Sequence, residues 1–248
     1  FLYFDNDMNL DRDVPITEAF AGKSEKDFGN LVHTLYVNEN LEAFFESYRS
    51  TFHSICKSIL EENSFQIDIS TLGNFYNISN FTYYIVFSSL LIGGFGFSKE
   101  SELFYVRGLN YQVGRYFIRR EQFAICLFHE FSHPYINPLA DKYFSLFNSI
   151  DSLYKEALEM QLPNCYHNPK TLLYEYFVRA NSIVLSTPYV KEKKLQEEIC
   201  WYKDIGFIYI DSLISLILTK RETYETYEEF FKNEAIAFFN NLHMIHKI

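Results

Sequence analysis

Residues 124–133 read AICLFHEFSH, an apolar run that closes on His129, Glu130, Phe131, Ser132 and His133. Phe123, Ala124, Leu127 and Phe128 are apolar, as a buried helix requires. Two histidines four residues apart share one face of a helix, about one turn apart, so both imidazoles can meet a single divalent ion. A glutamate directly after the first histidine points to the side of that face, where it can take a proton from water without binding the ion. The His-Glu-x-x-His (HExxH) spacing therefore predicts a Zn2+ site with His129 and His133 as ligands and Glu130 as general base. The competing reading is two structural histidines on a partly buried helix. Pro134 follows at once and disfavours α geometry at His133, so the helix is expected to end or kink there.

A catalytic zinc takes three protein ligands and keeps one position open. No histidine follows at the xxGxxH position; residues 135–140 read YINPLA instead, which argues against the metzincin type. The leading third ligand is Glu175, within LLYEYFVRA (172–180), because a charge inside an apolar helical run needs a partner. Arg179, at i+4, offers an ion pair as the rival explanation, and the two are compatible, since an arginine can orient a ligating carboxylate. His167, in a polar loop, and Asp141 are the alternatives. Cys126 reads as packing, and Cys56, Cys126, Cys165 and Cys200 form no CxxC pair. His243 and His246 read as a solvated last turn, and His33 and His53 as structural. Tyr135, His167, Tyr174 and Arg179 stand unranked as donors to a developing oxyanion. Aromatic side chains near Phe95 to Phe97 can shape an apolar substrate pocket.

Outward from the motif, residues 24–62 carry helical spacing in two segments, the second through Leu41, Phe44, Phe45, Tyr48, Phe52, Ile55 and Ile59, with Asn38 and Asn40 as a cap between them. Strand composition predicts β-strands over Thr82–Ser88 and Glu102–Val106, with Gly93, Gly94 and Gly96 in a bend or bulge between. The second of these strands stands where metallopeptidases place an edge strand that pairs with an extended substrate. Beyond Gly114 helices are expected over about 119–133, 139–160, 171–185, 191–220 and 224–246. The layout is α+β: a small, mostly antiparallel sheet preceding the motif helix, with the remainder largely helical. One domain over 1–248 is expected, with a helical and sheet lobe to about 135 and a helical lobe from about 136.

The chain has 26 Phe and 20 Tyr among 248 residues, so an aromatic-heavy core is expected. A net charge of -10, with no stripe of Lys and Arg, excludes nucleic acid as an expected partner. The apolar runs at 83–97 and 207–218 are interrupted and too short to span a bilayer, so no transmembrane segment is expected. The chain starts at Phe1 without a leader pattern, which is compatible with export after processing. Composition leaves the oligomeric state open.

In HEFSHPYINP (129–138), joined to EYFVRA (175–180), the sequence resembles the bacterial DUF4932 family, a group similar to gluzincin zinc peptidases. The resemblance implies a zincin-like fold, with His129, His133 and Glu175 as zinc ligands and Glu130 as base. It also implies export to the periplasm, cell surface or medium. The expectation is a zinc-dependent hydrolase, a metallopeptidase acting on a peptide or protein substrate. The rivals are a non-catalytic zincin-scaffold binding protein with a structural metal, closed by four protein ligands, and a metal-free helical interaction module.

Overall fold

The computed structural model describes residues 34, 41–62, 67–89, 91, 93–160, 162 and 166–245. The chain divides into two compact units, residues 1–60 and 61–248. Helix α1 (Leu41–Glu62) carries the expected spacing through the end of the first unit, with Phe44, Phe45, Tyr48 and Phe52 exposed along it. The cap expected at Asn38 and Asn40, and His33, lie outside the described residues.

The second unit begins with a short helix that the periodicity did not signal, α2 (Ser70–Tyr76), started by Asp68, whose carboxylate accepts from the Ser70 N–H at 3.0 Å. Three strands follow: β1 (Thr82–Ser88), β2 (Gly94–Lys99) and β3 (Glu102–Gly108). Their order is β1-β3-β2, with β1 parallel and β2 antiparallel to β3. The sheet is therefore mixed rather than mostly antiparallel, and β3 is its centre, not its edge. The cause is local. A tight turn at Glu100 folds β2 back onto β3, leaving only the other flank of β3 for β1, which arrives in the same direction.

Gly94 and Gly96 are strand residues rather than part of a bend, which is confined to Gly93 at φ 90°. A Cβ on Gly94 would stand 2.9 Å from the Tyr105 ring, and one on Gly96 would stand 2.8 Å from Cβ of Glu130. The missing side chains let Tyr105 and the motif helix approach the backbone of β2. A second hairpin, β4 (Asn110–Gln112) and β5 (Arg115–Phe117), leads into that helix.

Helix α3 (Arg120–Tyr143) continues past Pro134 and Pro138 instead of ending at His133. Each proline deprives the carbonyl four residues earlier, on Glu130 and Pro134, of its donor. Glu130, Pro134 and Pro138 all line the same open cleft, so that side of the helix is within reach of water. The opposite side is fixed by burial: Phe128, Phe131, Ser132, Tyr135 and Ile136 are all buried. Tyr76 on α2 bonds Ser132 at 2.8 Å and stacks on Tyr135 at 4.4 Å. Tertiary packing thus overrides the local signal to stop. Residues 139–143 complete α3, so the helix expected from 139 begins only at Ile150, as α4 (Ile150–Glu159). The lobe boundary read near residue 135 falls inside α3.

Helix α5 (Pro169–Ser186) starts where Asn168 accepts from the Thr171 N–H at 2.9 Å and Pro169 takes the first turn. It is buried on nearly every side, against α3 on one flank and α7 (Ile210–Lys220) on another. The single run expected at 191–220 is two helices, because Gly206 at φ 103° ends α6 (Glu192–Asp204) in a left-handed turn. The C-terminal helix starts at a Thr226–Glu229 capping box as α8 (Tyr227–Phe230), widens into a π turn, and continues as α9 (Ile236–Ile245). The core is as aromatic as the composition indicated: Phe147, Phe177, Phe231 and Phe239 pack together, with Phe177 and Phe231 rings 4.5 Å apart. Among the described residues no helix is long and apolar enough to cross a membrane.

Candidate metal centre

The two most closely packed helices of the second unit, α3 and α5, bring the candidate ligands together. His129 and His133 project from successive turns of α3, their rings 5.0 Å apart and 83° to each other. From α5, Glu175 places Oε1 3.5 Å from Nε2 of His133 and Oε2 3.8 Å from Nε2 of His129. One ligand atom from each residue lies within 4.8 Å of the others, so this partly buried group can hold a metal ion. Bonds of about 2.0–2.2 Å put tetrahedral neighbours roughly 3.3–3.6 Å apart, close to the separations found here.

Two further observations fit an ion. The Glu175 side chain is buried and no aligned hydrogen bond closes on its Oε2, whose neighbour at 3.1 Å is the Arg179 charge, so the carboxylate keeps lone pairs for an ion. Burial, reinforced by His133 and Arg179, holds the His129 imidazole well below its ordinary pKa, which keeps it neutral and able to ligate. His133 is oriented by Asn137, one turn on, through a 3.2 Å contact between Nδ1 and Oδ1. With the Asn137 carbonyl oxygen accepting, Nδ1 carries the proton and Nε2 presents its lone pair to the ion.

Glu130 leaves this trio and faces β2. The Gly96 N–H donates to its Oε2 at 2.7 Å. Burial raises the Glu130 carboxyl above the ordinary range, with Glu175 adding to the rise, while His133 and the Gly96 bond work against it. The cleft beside it has a volume of about 510 Å³ and is lined by α3 through Glu130, His133, Pro134 and Asn137, and by β2 through Gly96, Phe97 and Ser98.

Behind Glu175 stands Arg179, buried as well, with Nε 3.1 Å from Oε2. Its guanidinium lies 4.6 Å from the Tyr202 ring and 4.8 Å from that of Phe207, and Nη2 donates to the Tyr166 hydroxyl. Burial alone would lower its pKa; Glu175 first, then Tyr202 and Tyr166, outweigh that and leave it raised.

This trio is joined by two blocks, 129–138 and 175–180, and the sequence match extends far beyond them: residues 5–242 match the family described as a domain of unknown function, DUF4932. The chain belongs to the DUF4932 family. Comparison with curated proteins and with solved structures finds no match.

Other candidates fall away from the centre of this DUF4932 domain. His167 is exposed and outside the trio, and Asp141 is exposed and tied to Lys170 at 2.9 Å and to the Tyr174 hydroxyl. Neither joins the trio. Cys126 bonds Gln122 at 3.5 Å and stays outside the trio, as expected of a packed thiol. Cys165 and His246 lie outside the described residues, and His53 is exposed on α1. Of the four oxyanion candidates, Tyr135 bonds Tyr83 behind α3 and Tyr174 is taken by Asp141, while Arg179 alone contacts a member of the trio. Phe97 lines the cleft, whereas Phe95 is half exposed. Asn137 and the aromatic residues around Arg179 were not singled out in the sequence, and Gly96 was read only as part of a bend. For Asn137 a signal existed, a polar residue one turn beyond His133 on the same face.

Proposed function

We propose that this protein is a zinc-dependent metallopeptidase of the zincin type, with His129, His133 and Glu175 as zinc ligands and Glu130 as general base. The observation that carries the reading is the convergence of two imidazoles and a buried, unsatisfied carboxylate beside a second carboxylate in an open cleft. Two nitrogen donors and one carboxylate oxygen suit zinc, and three protein ligands leave a position for substrate or water. A bound zinc would supply Lewis-acid polarisation of the scissile carbonyl and make water more acidic.

The chain's own residues supply the rest. The Gly96 N–H fixes Oε2 of Glu130, leaving Oε1 to take a proton from the attacking water. The raised pKa of that carboxyl brings proton uptake nearer to neutral pH. Glu130 then returns the proton to the leaving amine, so no net proton is consumed by the base. Peptide is the favoured substrate class because β2 is an edge strand running along the cleft, and an extended chain can add to such an edge by backbone hydrogen bonds. This role belongs to β2 and not to β3, the strand expected to fill it.

The test is Glu130→Gln. It should retain its metal and lose hydrolysis of fluorogenic peptides by about 10²–10⁴-fold, the usual contribution of a positioned base. Undiminished hydrolysis would remove Glu130 from the mechanism.

A further inference from the structure

We infer that Arg179 is a positioning residue that anchors one oxygen of Glu175, so that Glu175 meets the ion through the other oxygen alone. The inference rests on the metal centre proposed above. A buried ion pair is poor evidence for stability, because two desolvated charges often do no better than an apolar pair of equal volume. Glu175 and Arg179 nonetheless face each other, one turn apart, inside the most buried helix of the second unit.

The surroundings of Arg179 fix where its charge points. Tyr202 and Phe207 flank the guanidinium at 4.6 and 4.8 Å, Trp201 and Tyr166 stand at 5.7 and 5.8 Å, and the Tyr166 hydroxyl takes Nη2. These rings come from three segments: the loop before α5, helix α6 and the turn after it. Aromatic faces hold a guanidinium without neutralising it. Among the described residues the carboxylate within ion-pair reach of it is Glu175, through Oε2 at 3.1 Å. That oxygen sits beside a cation caged by aromatic rings, in a charge contact without hydrogen-bond alignment, and 3.8 Å from Nε2 of His129, while Oε1 lies closer to an imidazole, 3.5 Å from Nε2 of His133. A carboxylate anchored in this way is a one-oxygen ligand. A free carboxylate can close on the ion with both oxygens and fill the position that water or a carbonyl must use.

The test replaces the native metal with cobalt(II) in the wild type, Arg179→Met, Arg179→Gln and Arg179→Lys. Folding is checked by thermal unfolding, and Arg179→Gln keeps a donor for Tyr166. The wild type should show the strong visible absorption of a four-coordinate ion. The Met and Gln variants should show the weaker absorption of a higher coordination number, with zinc affinity lower by about 10–100-fold in competition with a chromophoric chelator. Arg179→Lys, which restores the cation, should move back toward the wild type. Wild-type absorption in a folded Met or Gln variant overturns the inference, as does a Lys variant no closer to wild type than Gln. A wild-type protein that takes up no cobalt would instead defeat the proposed metal centre.

Discussion

Gly96 and Glu130 meet at a point where neither tolerates change: the Gly96 N–H donates to Oε2 of Glu130 at 2.7 Å, and a Cβ on residue 96 would lie 2.9 Å from that same oxygen. Sheet edge and motif helix are in contact there through backbone on one side and carboxylate on the other. Gly96→Ala should therefore push Glu130 or α3 aside. We expect a loss of about 1–3 kcal/mol in stability from overpacking. We also expect turnover to fall by about 10²-fold, the cost of a displacement of roughly 1 Å in a catalytic group, with metal content intact. Peptide hydrolysis by the variant at the wild-type rate would show that the contact has no part in placing the base.

Asp141 clamps the two helices that carry the candidate ligands, accepting from Tyr174 and pairing with Lys170, both on α5. The Tyr174 hydrogen bond first, and Lys170 after it, lower the Asp141 pKa below its ordinary value of 3.8. A depressed carboxylate favours the folded state above its unfolded pKa, and that contribution is lost as the pH falls through the folded value. Acid unfolding should show it below about pH 4. The pair is exposed, so Asp141→Asn should cost no more than about 1 kcal/mol at neutral pH and progressively less as the pH falls below about 4. A loss in urea titrations that stays the same on acidification would contradict this.

Thiol chemistry separates packing from ligation. Burial pushes the Cys126 thiol above its ordinary pKa, while Cys200 is exposed. Iodoacetamide should modify Cys200 well before Cys126, since the thiolate is the reactive form. Cys126→Ser should keep the full metal content. Loss of the metal in that variant would place the sulfur among the ligands.

The convergence of the trio, with Glu130 beside it, was legible because each residue left a local mark. His129 and His133 are one helical turn apart, and Glu175 is a charge where the neighbouring residues are apolar. What was not legible depends on partners distant in sequence. Gly94 and Gly96 resemble a bend until Tyr105 and Glu130 are seen filling the space above them. Pro134 signals a helix end, but the buried face formed by Phe131, Ser132 and Tyr135 carries the helix onward. The parallel pairing of β1 with β3 joins strands twenty residues apart in register, across the intervening β2, so no local pattern marks it. The cage around Arg179 draws on residues 166, 201, 202 and 207, which share no local pattern.

The central claim is tested most directly by elemental analysis of protein purified without chelators or metal-affinity resin. We predict one zinc per wild-type chain, and near-complete loss of it in His133→Ala and in Glu175→Ala. A folded wild-type protein without stoichiometric metal, or ligand variants that keep it, would contradict the account.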